Sequence, residues 1–132
     1  MKSMLGDLQA TAGDTCSVHA YTDLVGFIKI WTETVEQVSG LGSRVGGHAD
    51  IAEASEILVV RPDLFREDRA EQGRLGELDA ELVDRIFSEG FREITPNGVL
   101  GDTRGASERI GLATLARAAD VIVDQFRGNS DA

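Results

Sequence analysis

A glycine-rich stretch that leads straight into an apolar helix constrains the fold more than any other feature of the sequence. Four glycines stand in the range 39–47, and glycine adopts backbone conformations that other residues avoid. From Ile51 onward apolar residues recur every three or four positions, which predicts a helix whose N-cap is Asp50. Pro62 disfavours helical geometry at the preceding residue, so this helix should end near Val60.

The same spacing predicts two later helices. The first covers about 77–89, with Leu78 in its apolar stripe and Gly90 at its C-cap. The second covers about 107–126 and is the clearest element of the sequence. It is predicted to be amphipathic, with a stripe formed by Leu112, Leu115, Ala119, Ile122 and Phe126.

The remaining apolar segments are short enough to be strands. Residues 16–20 alternate as in a half-buried strand, whereas 24–31 are spaced as in a helix, and the boundary between the two stays open. Residues 91–94 are interpreted as a second short strand, followed by a turn at 95–98. Residues 1–15 read as a frayed helix end or a leader. This order of elements favours an α/β layer fold over a bundle or a β-sandwich.

Charge and composition limit the classes of partner that the protein can bind. The 13 Lys and Arg residues against 23 Asp and Glu residues give a formal net charge of −10, and the basic residues are scattered along the chain. Phosphate backbones and anionic membranes would repel such a protein. No stretch approaches the roughly 20 apolar residues of a membrane span, and the first residues lack a signal-peptide core. We therefore expect a globular cytoplasmic protein without nucleic-acid or membrane partners.

His48 and Glu53 are the residues best suited to chemistry. His48 lies just before the predicted helix, whose positive end favours the neutral imidazole. Glu53 faces back toward the loop, so the pair can bind a metal or shuttle a proton. A plainer interpretation also stands: His48 is a surface residue at a helix start, and Glu53 forms a capping-box-like pair with Asp50.

Three other patterns carry less chemistry. The glycine-rich stretch lacks the third glycine of a dinucleotide fingerprint and the Lys-Ser/Thr ending of a P-loop. Cys16 and His19 form a Cys-x-x-His pair, but a structural zinc takes four ligands and the chain has only one other histidine. Asp102 and Arg104 are predicted to cap the final helix or to bridge to the sheet.

Two segments of the sequence carry a more specific signal. The first is Gly-His-Ala-Asp-Ile-Ala-Glu-Ala-Ser at 47–55, followed by Arg-Pro-Asp-Leu at 61–64. The second is Asn-Gly-Val-Leu-Gly-Asp-Thr-Arg at 97–104. In this order and at this separation they resemble the creatininase, or creatinine amidohydrolase, family. That family has Gly-His-Ala-Gly, then Glu-Thr-Ser, Arg/His-Pro-Glu-Leu and Asn/Ser-Gly-Val-x-Gly-Asp-Pro.

The resemblance implies a three-layer α/β/α fold. It also implies a dinuclear centre of zinc, manganese or iron that hydrolyses a C–N bond in a cyclic amide, a formamide or a related small molecule. In the family a metal-bound hydroxide attacks the carbonyl, and a histidine assists proton transfer to the leaving nitrogen. His48 matches that catalytic histidine. Glu53 matches the family's glutamate at the site, which ligates metal or supports a ligand.

The sequence departs from the family pattern in two ways. Asp50, Ala54 and Thr103 stand where the family has glycine, threonine and proline. The family's main metal-binding motifs are Glu-x-His followed by Asp, and a later His in an Asn-Gly-His-Gly-Gly-Asn-like loop. Both belong to its N-terminal half and are absent from this sequence. The resemblance spans residues 16–127, which correspond to the C-terminal half of a complete member.

We therefore expect a protein that works with a second chain, because one histidine and one glutamate cannot hold two metal ions. Residues 1–132 are expected to form a single domain or half-domain, with a leader at 1–15 and a tail at 128–132. This unit is interpreted as one subunit of a split amidohydrolase in a higher oligomer, completed by a chain equivalent to the family's N-terminal half. The alternatives are a non-catalytic structural or regulatory subunit and a free-standing small-ligand-binding domain.

Overall fold

Six helices and two short strands make up the chain in the computed structural model, which describes residues 2–130. The helices are α1 Lys2–Ala12, α2 Leu24–Ser39, α3 Ile51–Val60, α4 Ala80–Glu89, α5 Phe91–Ile94 and α6 Glu108–Ser130. The strands are β1 Val45–His48 and β2 Leu100–Gly101, and 3-10 turns lie at Gly42–Arg44, Pro62–Leu64 and Glu67–Arg69. The chain is thus a mixed α and β protein, as expected. Within residues 2–130, no helix has the length and apolar character needed to cross a membrane.

The two strands form a small antiparallel sheet. Val45 pairs with Gly101 and His48 with Leu100, with an irregularity in between. The backbones approach so closely that a Cβ on Gly46 would lie 2.5 Å from the Gly101 nitrogen. On the other side of β2, the segment 72–74 adds backbone hydrogen bonds, among them one of 2.9 Å from the Gly73 nitrogen to the Gly101 carbonyl. The sheet therefore holds the backbone of His48 against β2, while its side chain stays exposed.

The core lies between the sheet and helices α2, α3, α4 and α6. Its buried residues are Ile28, Trp31, Val35, Val45, Ile51, Ala52, Leu78, Leu82, Leu100 and Ile110. Helices α3 and α6 touch through their backbones, since a Cβ on Gly111 would lie 2.1 Å from the Ser55 carbonyl oxygen. The buried Ser55 hydroxyl also accepts a 3.0 Å hydrogen bond from the Ser107 nitrogen, just before α6 begins.

The helix predictions are confirmed in most of their bounds. Helix α3 covers Ile51–Val60 and is capped by Asp50, as its sequence indicates. Helix α4 ends at Glu89 with Gly90 as its C-cap, as predicted, but begins later, because Asp79 accepts a 2.8 Å hydrogen bond from the Leu82 nitrogen and acts as its N-cap. Helix α6 begins at Glu108, close to the predicted start, and extends past the predicted end.

Both strand predictions outside the sheet are wrong. Residues 16–20 form no strand, because the Gln9 side chain ties this segment to α1. It donates to the Cys16 carbonyl at 3.0 Å and accepts from the Val18 nitrogen at 2.8 Å. Residues 91–94 form helix α5, since the Thr95 nitrogen donates to the Phe91 carbonyl at 2.9 Å and closes a helical turn.

The apolar stripe of α6 does not face the core as the stripe of an amphipathic helix is expected to do. Leu112 is 59% exposed and Ile122 is 37% exposed. The buried positions are Ile110, Gly111 and Thr114, and the Thr114 hydroxyl is satisfied by the Ile110 carbonyl at 3.1 Å. Small residues allow α3 to approach this face closely, so that Ile110 is buried while Leu112 and Ile122 are left on the outside.

Candidate active site

The turn between β1 and α3 contains a strained residue. Ala49 has a φ of +53°, and it is the only residue other than glycine with a positive φ in residues 2–130. For an L-residue this conformation costs roughly 1–2 kcal/mol. Such strain persists where the surrounding structure holds it in place, and it is common at functional sites.

The Asp50 carboxylate holds this turn from the inside. Its side chain is fully buried. One oxygen accepts from the nitrogens of Gly46 at 2.9 Å and Gly47 at 2.8 Å, and the other accepts from those of Ala52 at 2.8 Å and Glu53 at 3.2 Å. The cap on α3 was predictable from the sequence, but the two bonds back to β1 depend on how the turn folds.

Side chains also satisfy both backbone groups of Ala49. The Thr103 hydroxyl donates to the Ala49 carbonyl at 2.7 Å. A carboxylate oxygen of Glu53 accepts from the Ala49 nitrogen. Glu53 therefore has the capping role of the plainer interpretation, with the bonded nitrogen one residue before the N-cap.

The structure also brings His48 and Glu53 together. The distance between His48 Nδ1 and Glu53 Oε2 is 4.0 Å, and the side chains are 54% and 39% exposed respectively. This separation is too long for a direct hydrogen bond and is suited to a charge pair or a bridging water. The Glu53 carboxylate thus caps the turn and also lies close to the His48 imidazole.

A groove of about 730 Å³ opens beside Glu53, between α3, α6 and the segment 62–70. Its apolar walls include Ala54, Ile57, Val60, Leu64, Phe65 and Leu115, and its polar lining includes Glu53, Glu56, Arg66, Arg69 and Thr103. Of the described residues, His48 is not among those that line it. The His48 ring instead packs against Phe91, with ring centroids 4.8 Å apart and planes at 64°.

Glu56 is a groove residue that the sequence reasoning missed. Burial raises the pKa of its carboxyl, a hydrogen bond with Thr114 acts in the opposite direction, and the charges of Glu53 and Asp50 raise it further. Its Oε1 and the Trp31 indole nitrogen are buried and make no hydrogen bond of good geometry among the described residues, although the nearby indole also acts to lower the pKa of Glu56. The sequence offered one signal for Glu56, which is that it follows Glu53 by about one helical turn and so lies on the same side of α3.

Asp102 and Arg104 form a bridge rather than a helix cap. The Arg104 guanidinium donates to both oxygens of the buried Asp102 carboxylate, at 2.8 and 2.7 Å, and lowers its pKa. Arg44 Nε lies 3.8 Å from the same carboxylate. This cluster joins the start of β1 to the end of β2, so the bridging interpretation is correct.

The described residues offer few metal ligands. Cys16 is exposed, and the His19 ring packs against Phe126 with centroids 5.7 Å apart. In the part of the chain that the structure describes, no group of three His, Cys, Asp or Glu side chains could hold a metal. His48 and Glu53 are donors of the right kind, but a catalytic zinc takes three protein ligands. A metal at this pair needs further ligands from elsewhere.

Comparison with known proteins adds one finding. The family model described as "Creatininase: Creatinine amidohydrolase" matches residues 2–126, which include the β1–α3 turn, the groove and the Asp102 cluster. No curated protein matches the chain, and no solved structure does.

Proposed function

The chain belongs to the creatininase family, and we propose that it is one subunit of a split, metal-dependent amidohydrolase. Members of this family are typically hydrolases and are generally metal-dependent. The proposed reaction is hydrolysis of a C–N bond in a cyclic amide, a formamide or a related small molecule. The observation that carries the proposal is the 4.0 Å approach of His48 Nδ1 to Glu53 Oε2 within the segment that the family model covers.

In this proposal His48 moves a proton. A carboxylate near Nδ1 favours the tautomer that carries its hydrogen there, which leaves Nε2 as the acceptor. Nε2 takes a proton from the attacking water as the new C–O bond forms, and it gives that proton to the leaving nitrogen as the C–N bond breaks. Glu53 both holds the turn through the Ala49 nitrogen and stabilises the charged imidazole.

The proposed cofactor is a divalent ion, zinc, manganese or iron, in a dinuclear centre. Such ions lower the pKa of bound water and polarise a carbonyl. Glu53 is the one residue of this chain that we propose as a metal ligand, and His48 Nδ1 lies 4.0 Å from its carboxylate. The remaining ligands would come from a partner chain equivalent to the N-terminal half of the family.

Exposed apolar side chains support such a partner. Helices α3 and α6 and the turn that follows α3 leave several large apolar residues on the surface, which we call the outer apolar face: Ile57, Val60, Leu64, Leu112 and Ile122. Apolar patches of this kind mark interaction sites in soluble proteins. The two-stranded sheet would then belong to the central layer of a three-layer α/β/α fold, and the complex would assemble into a higher oligomer.

The test is to purify the chain alone and with a candidate partner that carries the Glu-x-His and Asp motifs, such as the product of a neighbouring gene. Metal content and hydrolysis of a panel of cyclic amides and formamides are then measured. We expect metal and turnover only in the complex. His48→Ala should lower kcat in the complex by about 10²–10⁴-fold, and His19→Ala is the matched control. Full activity of the isolated chain would overturn the proposal.

A non-catalytic subunit is the second candidate, and the departures from the family pattern favour it. Asp50 and Thr103 both have structural roles at the turn, where they bind backbone groups that a glycine and a proline could not bind. A complex whose turnover is unchanged by His48→Ala and by Glu53→Ala would support this candidate.

A further inference from the structure

The imidazole of His48 is in contact with an aromatic ring from a distant part of the sequence. The rings of His48 and Phe91 lie 4.8 Å apart at an angle of 64°, which is an edge-to-face arrangement. Aromatic pairs in this geometry attract each other. Phe91 is half-buried and packs against the hydrophobic core, whereas the His48 side chain is 54% exposed. The Phe91 ring, which the core holds in place, thus contacts the exposed ring of His48.

Backbone hydrogen bonds fix the position of Phe91. The turn at Gly90, with a φ of +92°, ends α4 and begins α5. The Phe91 carbonyl accepts from the Thr95 nitrogen at 2.9 Å. Thr95 is buried, and its hydroxyl donates to the Val99 carbonyl at 2.8 Å, next to β2. The α5 turn is therefore tied to the strand that follows it.

His48 is tied to the same strand. Its backbone pairs with Leu100 of β2 in the antiparallel sheet. His48 and Phe91 are therefore connected in two ways: through β2 and Thr95, and by the direct contact between their rings. The separation of the two residues is set by the fold and does not depend on a loose surface loop.

We propose that Phe91 is a positioning residue, which holds the His48 ring in the orientation that keeps Nδ1 next to Glu53. The catalytic meaning of this role rests on the proposed function. At 4.0 Å the carboxylate makes no direct hydrogen bond that could fix the ring by itself. In this proposal Phe91 contacts the imidazole and not the substrate, so its loss should lower kcat and leave KM nearly unchanged.

The first test measures the orientation of the ring by NMR in the full chain at one fixed pH. The chain has two histidines, so His19→Gln assigns the signals. We expect nuclear Overhauser cross-peaks between His48 and Glu53 in the wild type and in Phe91→Tyr, and their loss in Phe91→Leu. The His19 signals, which belong to the pair with Phe126, should not move. Unchanged His48–Glu53 cross-peaks in Phe91→Leu would overturn the proposal.

Folding is checked by the melting temperature of each variant. If Phe91→Leu does not fold, Phe91→Met fills the same core space with a flexible apolar chain and takes its place. Phe87→Leu is the matched control, because Phe87 lies on α4 close by and is 86% exposed. We expect this control to keep the His48–Glu53 cross-peaks.

The second test measures kinetics in the complex with the partner chain. We expect Phe91→Leu to lower kcat about 10- to 100-fold, with KM within about twofold, as small misplacements of a catalytic group do. Phe91→Tyr should restore most of kcat. An unchanged kcat in Phe91→Leu would overturn the positioning role. A wild-type complex without turnover would instead overturn the proposed function, while the NMR result would still decide whether Phe91 orients His48.

Discussion

The β1–α3 turn and the outer apolar face of α3 and α6 are built in opposite ways. In the turn, a buried carboxylate accepts four backbone hydrogen bonds, and side chains satisfy both backbone groups of the strained Ala49. On the outer apolar face, Leu112 is 59% exposed and Leu64 is 57% exposed. The chain thus holds its candidate catalytic turn with its own residues but leaves apolar surface uncovered. This contrast is what a subunit of a larger assembly would show.

Substitutions on the two faces of α6 provide the largest test of this contrast. Ile110→Ala removes a buried side chain, 1% exposed, and should lower the free energy of unfolding by about 2–5 kcal/mol. Leu112→Ala should change it by less than about 0.5 kcal/mol in the isolated chain, because the side chain is already in solvent. Urea unfolding followed by circular dichroism measures both.

The same pair of variants then tests the outer face as an interface. Leu112→Ala should weaken association with the proposed partner chain, measured by titration calorimetry, although it leaves the isolated chain stable. Equal losses of stability in the two variants would contradict the burial pattern of α6. Unaltered association in Leu112→Ala would contradict its role in the interface.

The next largest effect concerns the turn. Asp50→Ala removes the N-cap and leaves buried N–H groups unpaired, so it should cost about 3 kcal/mol of unfolding free energy. Asp79→Ala is the matched control, because Asp79 caps α4 at an exposed position with one hydrogen bond to the Leu82 nitrogen. It should cost about 1 kcal/mol. Chemical unfolding of both variants under one condition gives the comparison, and equal costs would mean that the bonds to β1 contribute nothing.

How much of this the sequence predicts differs between the two regions. Helix α3 was predictable in both bounds, because its cap, its spacing and Pro62 are local signals. The buried face of α6 was not, since it depends on the backbone contact between Gly111 and Ser55. The approach of Phe91 to His48 was also out of reach, because the interpretation of 91–94 as a strand hid the turn that carries the ring. Features that depend on neighbouring residues, such as helix caps and spacing, were predictable from the sequence, and contacts between distant segments were not.

The smallest expected effect is a difference in pH dependence between the two regions. Beside the turn, the hydrogen bond from Arg104 lowers the pKa of Asp102. The folded state therefore binds this proton less readily than the unfolded state, and the stabilisation is present above the ordinary pKa and lost as the pH falls through the lowered value. In the groove, whose walls include residues of the outer apolar face, burial raises the pKa of Glu56, so the sign reverses. Its contribution is present below the ordinary pKa of a glutamate and is lost as the pH rises through the raised value.

Measurements of unfolding free energy against pH separate these two contributions. Glu56→Gln should remove the loss of stability that accompanies rising pH above the ordinary glutamate pKa, and the wild type should show that loss. Asp102→Asn should remove the loss that accompanies falling pH in the acid range. Glu33→Gln is the control for a surface carboxylate, because Glu33 is exposed and its carboxylate lies 4.0 Å from Lys29 Nζ. A Glu56→Gln profile parallel to that of the wild type would mean that the groove carboxyl titrates as it does in the unfolded chain. Burial in the groove would then be incomplete, and the contrast between the two regions would rest on the apolar face alone.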